Sequence, residues 1–171
     1  AAGLDGLAGL RVLWTREEVV RGVESIADAM ATAFRDSETV NLVPVMTGGL
    51  QFAAALSTAL EHRAPGKWLI SPIFAGAYAA DGELGAPVVE FPARFEHRLE
   101  PNAPVVVVDD LLDSGTTMLE LRAQLKERGL EPVHICVLIE RVRERATPLR
   151  PDFCAFRLDG DDWLVGFGMD S

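Results

Sequence analysis

The stretch VVVVDDLLDSGTTM, Val105 to Met118, decides how this sequence is read. Val105–Val108 is wholly apolar and β-branched, the composition of a central parallel strand covered on both faces. Asp109 and Asp110 stand where such a strand ends, and open α/β sheets bind ligands outside the carboxyl ends of their strands. Residues 109–117, DDLLDSGTT, read as the loop that follows, and Met118–Arg128 as the next helix. Free N–H groups and the dipole at that helix start favour a phosphate. Gly115 permits close backbone approach, and Ser114, Thr116 and Thr117 add hydroxyl donors. An anion cradle thus lies beside a carboxylate pair suited to a diol or a cation.

Three plainer readings compete. Asp, Ser or Thr before a helix is ordinary N-cap chemistry. An apolar strand ending in two acids also occurs in receiver domains. A glycine-rich turn alone is a weak dinucleotide signal, and no G-x-G-x-x-G is present. None of the three accounts for acids, glycine and hydroxyls in this order.

Outward from this segment, strands alternate with helices. Thr15-Arg-Glu-Glu18 is a capping box opening a helix to Arg35, with Val19, Val23, Ile26, Ala27, Met30 and Phe34 on one face. Val40–Met46 reads as a strand ended by Gly48 and Gly49, Leu50–Glu61 as a helix, and Trp68–Ala75 as one strand. From Gly76 to Pro104 the pattern fits a weak hairpin or a long loop, and long loops in compact domains are usually functional. Gly129 is placed to close the helix before it in a left-handed conformation. Val133–Ile139 reads as a buried strand, and Phe153–Leu158 and Trp163–Phe167 as two further short runs. This alternation implies an α/β fold with a mostly parallel sheet.

The 171 residues fit one domain. A formal charge of −10 argues against a nucleic-acid surface, and a polyphosphorylated ligand would then call for a divalent cation. No apolar run is long enough to span a bilayer, and the N-terminus lacks a basic region followed by an apolar stretch. Cys136 and Cys154 lie in apolar runs and read as thiols of a reducing compartment, and the three histidines show no ligand spacing. These features lead to the expectation of a cytoplasmic protein.

The central segment resembles the phosphoribosyl pyrophosphate (PRPP) signature of type I phosphoribosyltransferases: an apolar strand, two acids, two apolar residues, then D-[ST]-G-x-T. Other stretches resemble the hypoxanthine-guanine branch. VMTGGLQFAAAL, Val45–Leu56, is similar to its pyrophosphate loop, and RPDFCAFRLDGDDWLVGFGMD, Arg150–Asp170, to its purine pocket. The resemblance implies a single domain over residues 1–171, with a core at about 15–140 and a small hood at about 1–14 and 150–171.

By position, it implies that Asp109 and Asp110 hold the ribose hydroxyls, directly or through Mg2+, and that Asp113, Ser114, Gly115, Thr116 and Thr117 cradle the 5′-phosphate. Asp113 would be the acid–base residue at the purine N7. Thr47, Gly48 and Gly49 would bind pyrophosphate, with the Met46–Thr47 peptide in the cis form. Arg150 would contact the purine 6-oxygen, Trp163 would stack on the base and Leu164 would offer backbone groups. Asp170 would contact the magnesium that binds pyrophosphate, and Tyr78 would sit in a mobile lid.

The implied reaction transfers the phosphoribosyl group of PRPP to N9 of hypoxanthine or guanine, giving IMP or GMP and pyrophosphate, by a homo-oligomer (dimer or tetramer). Some positions depart from the pattern. Thr47 replaces a lysine, Ala77 a serine, the lid AADGELGAPVVEF carries no basic residue, and no arginine follows Asp170. These departures favour the alternative, a non-catalytic relative that keeps the fold to sense nucleotides.

Overall fold

The computed structural model describes residues 9–80, 83–145 and 148–170. In chain order the elements are α1 (Arg16–Ala33), β1 (Val40–Met46), α2 (Leu50–Arg63), β2 (Trp68–Ile70), β3 (Ile73–Ala80), β4 (Glu83–Glu90), β5 (Val105–Leu112), α3 (Thr116–Glu127), β6 (Val133–Val142), β7 (Phe153–Asp159), β8 (Val165–Gly166) and β9 (Met169–Asp170). The main sheet runs β4-β3-β1-β5-β6-β7, with β2 also paired to β1. Every pair in it is parallel except β3–β4, which is antiparallel.

Helices α1 and α2 bury one apolar face of the sheet, with Ile26, Met30, Phe52, Leu56 and Leu60 packed over Val106, Val108, Cys136 and Leu138. On the other face Leu121 and Leu125 of α3 pack over Val105, Val107, Ile135 and Val137. β5 contributes to both layers, as its uninterrupted valines require. The Thr15 capping box forms: the Glu18 N–H donates to Thr15 Oγ1 at 3.2 Å, and the Thr15 N–H to Glu18 at 2.7 Å. Gly129 closes the chain after α3 at φ +79°.

Three readings of the sequence are corrected. Trp68–Ala75 is two strands, broken where Pro72 has no N–H to offer and where buried Ser71 turns inward to donate to the Phe95 carbonyl at 2.8 Å. Of the two patterns open for residues 76–104 the hairpin is the one present: β3–β4, which begins already at Ile73, followed by a short 3-10 turn at Glu96–Arg98. The DDLL of the central segment belongs to β5, so the loop shrinks to Asp113–Gly115 and the helix starts at Thr116 rather than Met118. The β5–β6 ladder carries the strand on to Leu112. In the tail, Trp163 precedes the strand, and Val165–Gly166 pairs back on Met169–Asp170.

The segment before α1 meets β7 and the loop after it. Trp14 stacks on Phe156 with ring centroids 4.7 Å apart, and Arg11 forms an ion pair with Asp162 at 2.6 Å. β3 lies in register with β1 at Met46↔Phe74 and continues to Ala80. At ~3.3 Å per residue that carries the hairpin about 20 Å beyond the end of β1, past the edge where the central segment emerges. No helix among the described residues is long and apolar enough to cross a membrane. Cys136 and Cys154 are free, and burial pushes both thiols up from their ordinary pKa.

Candidate active site

The parallel ladder sets the carboxyl ends of β1, β5, β6 and β7 side by side, and the loops leaving β1 and β5 come into contact. Gly48 lies so close to Asp110 that a Cβ there would stand 2.7 Å from a carboxylate oxygen. At Gly49 a Cβ would meet the Val45 carbonyl at 2.7 Å and that of Val108 at 3.0 Å. The Met46–Thr47 peptide is cis. The turn of the C-terminal hairpin closes on the same loop, with a Cβ at Gly168 falling 3.3 Å from the Gly48 carbonyl. Three glycines therefore let three backbones share one corner.

Asp109 and Asp110 form a like-charge pair. Burial pushes the Asp109 carboxyl well above its ordinary range, and the neighbouring Asp110 charge adds to the shift. Their hydrogen bonds among the described residues are to backbone: the Asp110 N–H donates to Asp109 at 2.9 Å and the Leu111 N–H to Asp110 at 2.8 Å. Two acids so placed, with no cation beside them, suit ribose hydroxyls or a metal ion. No group of three or more His, Cys, Asp or Glu side chains with metal-binding geometry occurs among the described residues. A cation here would use one or two carboxylates and complete its shell with water and ligand oxygens, as magnesium does.

The segment Asp113–Thr117 has its distinguishing feature at the start of α3. The N-cap is Gly115, at φ +83°, and no side chain caps the helix. Ser114 and Thr116 turn to each other at 3.3 Å, and Ser114 Oγ lies 3.5 Å from the Thr116 N–H, the limit for any bond. Among the described residues the first amides of this 12-residue helix have no well-placed side-chain partner, an arrangement that suits an anion. Leu149 packs beneath Gly115, 2.8 Å from where a Cβ would lie. Gly115→Ala therefore combines left-handed strain with a clash, and should cost about 1–3 kcal/mol. Urea denaturation of the ligand-free protein checks this, and an unchanged midpoint would contradict the geometry described.

Asp113 is half-exposed and faces two guanidinium groups that sequence reasoning missed. Arg143 Nε lies 2.8 Å from one carboxylate oxygen and Arg141 Nε 3.4 Å from the other. Neither contact has hydrogen-bond geometry, so Asp113 Oδ1 and Arg141 Nε are both buried and unsatisfied. Unsatisfied buried polar atoms mark sites where a ligand or water is expected. Arg141, 4% exposed, also donates to the carbonyls of Gly160 and Asp162, the latter at 3.0 Å. It thus ties Asp113 to the loop that carries Trp163. The signal that could have revealed these residues is ERVRER, Glu140–Arg145, a run of alternating charges at the ligand edge of a buried parallel strand.

The remaining expected residues are less concentrated. Trp163 is 71% exposed beside that loop, and Leu164 turns its side chain into the α1–α2 core. Only the backbone of Leu164 is free for a ligand. Arg150 is exposed and lines a cavity of about 430 Å³ with Glu140, Arg143, Arg145, Leu149 and Arg157. Neither Asp113 nor Trp163 lines it, although Arg143, which does, lies 2.8 Å from Asp113. Thr47 is exposed in the loop after β1. Tyr78 lies in β3 and Asp170 in β9, and their side chains fall outside the described residues.

A profile of the phosphoribosyl transferase domain matches residues 16–171. The chain belongs to the phosphoribosyl transferase domain family. Among relatives of this family member, the hypoxanthine-guanine phosphoribosyltransferase of Aquifex aeolicus is 24% identical over 161 residues, covering 94% of this chain and 86% of that protein. That of Streptococcus pyogenes is 19% identical over 160 residues, covering 94% and 84%. The fold matches a crystal structure of a Bacillus anthracis hypoxanthine-guanine phosphoribosyltransferase, with a TM-score of 0.76 at 22% identity over 95% of this chain and 90% of that one. A Trypanosoma cruzi hypoxanthine phosphoribosyltransferase variant complexed with the product IMP is similar too, with a TM-score of 0.78 at 20% identity over 95% and 83%.

Proposed function

We propose that this phosphoribosyl transferase domain moves the 5-phosphoribosyl group of PRPP to N9 of hypoxanthine or guanine, releasing pyrophosphate, as a purine salvage enzyme. One observation carries the reading: the uncapped amides at the start of α3 lie one short turn from an acid pair that has no cation partner among the described residues. That juxtaposition fits a 5-phosphorylated ribose, with phosphate on Asp113–Thr117 and the 2′- and 3′-hydroxyls at Asp109 and Asp110. The relatives' names supply the acceptor class.

The chain's own residues then divide the work. Gly48 and Gly49 carry no side chains, so the pyrophosphate can approach the Thr47 and Gly48 amides, while the Gly49 N–H donates to the Val45 carbonyl at 3.0 Å. The C1–O bond to pyrophosphate breaks as N9 bonds to C1, and the purine's proton passes to Asp113 at N7. Trp163 covers the base from the hood, Leu164 offers backbone groups to its edge, and the β3–β4 hairpin with Tyr78 excludes water that would hydrolyse PRPP. Asp109 and Asp110, with Asp170, would hold a magnesium ion, which when bound would supply Lewis-acid stabilisation of the leaving group. A reducing cytoplasm suits the two free thiols, and the assembly is a dimer or tetramer.

Pyrophosphate release measured with magnesium, PRPP and one base at a time tests the proposal. Hypoxanthine and guanine should turn over with one pyrophosphate per nucleotide, and adenine should not. Tight PRPP binding with no turnover on any 6-oxopurine would replace this reading with that of a nucleotide-sensing relative.

A further inference from the structure

We infer that Arg145 is a positioning residue whose guanidinium aims the backbone amides of the phosphate loop, an inference that rests on reading Asp113–Thr117 as a 5′-phosphate cradle. Its side chain is only 7% exposed. Nε donates to the Asp113 carbonyl at 2.8 Å, and the two terminal nitrogens donate to the carbonyls of Leu112 at 3.4 Å, Arg141 at 2.9 Å and Leu149 at 3.1 Å. The Glu140 carboxylate, 7% exposed, holds the same guanidinium at 3.2 Å. One fork thus joins the end of β5, the end of β6 and the segment before β7.

The consequence lies in the planarity of the peptide. In a trans unit the C=O and the following N–H point in opposite directions. Holding the Asp113 carbonyl down onto Arg145 turns the Ser114 N–H the other way, out of the loop's upper side. Among the described residues nothing accepts from that N–H. Below, Leu149 and the Arg145 stem would stand 2.8 and 3.5 Å from a Cβ on Gly115, so the loop rests on a floor and cannot flip its peptide. A lysine has three donors on a point charge and cannot span four carbonyls and a carboxylate at once.

The test compares a nucleotide with its nucleoside on the intact chain. Calorimetry with magnesium gives dissociation constants for IMP and inosine, and their ratio isolates what the 5′-phosphate contributes. In Arg145→Gln the ratio should fall about 10-fold, the value of one misdirected charge-assisted hydrogen bond, while inosine binds as it does to the native protein. Arg145→Lys should retain part of the loss's rescue, with a smaller fall. A ratio within about 2-fold of the native one in folded Arg145→Gln overturns the inference. Should that variant not fold, an unchanged ratio in Arg145→Lys does the same. A native protein that binds IMP no tighter than inosine would instead remove the phosphate-loop reading, and the role of Arg145 with it.

Discussion

Asp113→Asn should lower turnover by about 10²–10⁴-fold, the usual contribution of a positioned acid–base group, while PRPP affinity stays near the native value. The substitution keeps the side chain's size at the end of β5 and leaves Gly115 and the α3 amides in place. What it removes is the proton acceptor, together with the charge facing Arg141 and Arg143. Arg141 is 4% exposed and would lose the carboxylate at 3.4 Å, so the variant should also be less stable than the native protein. Single-turnover kinetics with saturating PRPP separates the two effects. Native-like turnover would take Asp113 out of the chemistry.

The second large effect belongs to the acid pair. Asp109→Ala combined with Asp110→Ala should weaken PRPP binding by roughly 100-fold or more, since each lost charge-assisted hydrogen bond is worth about 1.5–3 kcal/mol. The loss should be greater with magnesium present than without it. Among the described residues the pair has backbone amides for partners and no cation, and burial holds the Asp109 carboxyl well up. That arrangement is unfavourable for an empty site and favourable for one that receives hydroxyls or a divalent ion. Calorimetry that finds the same PRPP affinity in the double variant, with and without magnesium, would refute this assignment.

The site was legible in the sequence to the extent that it was contiguous. Asp109, Asp110 and Gly115 sit in one run with an apolar strand before and a helix after, so local chemistry and global fold agree there. The limits of that run were misjudged because β5 pairs with β6 as far as Leu112, and pairing partners are invisible to local composition. Ser114 and Thr116 read naturally as helix caps, and only the structure reveals a glycine N-cap with no side chain bonded to it. Arg141, Arg143 and Arg145 went unread because charges after a strand are normally solvated. Their importance comes from carbonyls and carboxylates that lie as far as 33 residues away in sequence. Arg150 follows β6 and lines a cavity with Glu140, Arg143 and Arg157, neighbours that its own stretch of sequence does not announce.

The central claim is that the segment from Asp109 to Thr117 receives a 5-phosphorylated ribose. A crystal structure of the protein with IMP tests it most directly. The account predicts the 5′-phosphate on the amides of Asp113–Thr117 and the ribose hydroxyls at Asp109 and Asp110. A well-ordered nucleotide whose phosphate occupies a different helix start, with this loop empty, would contradict it.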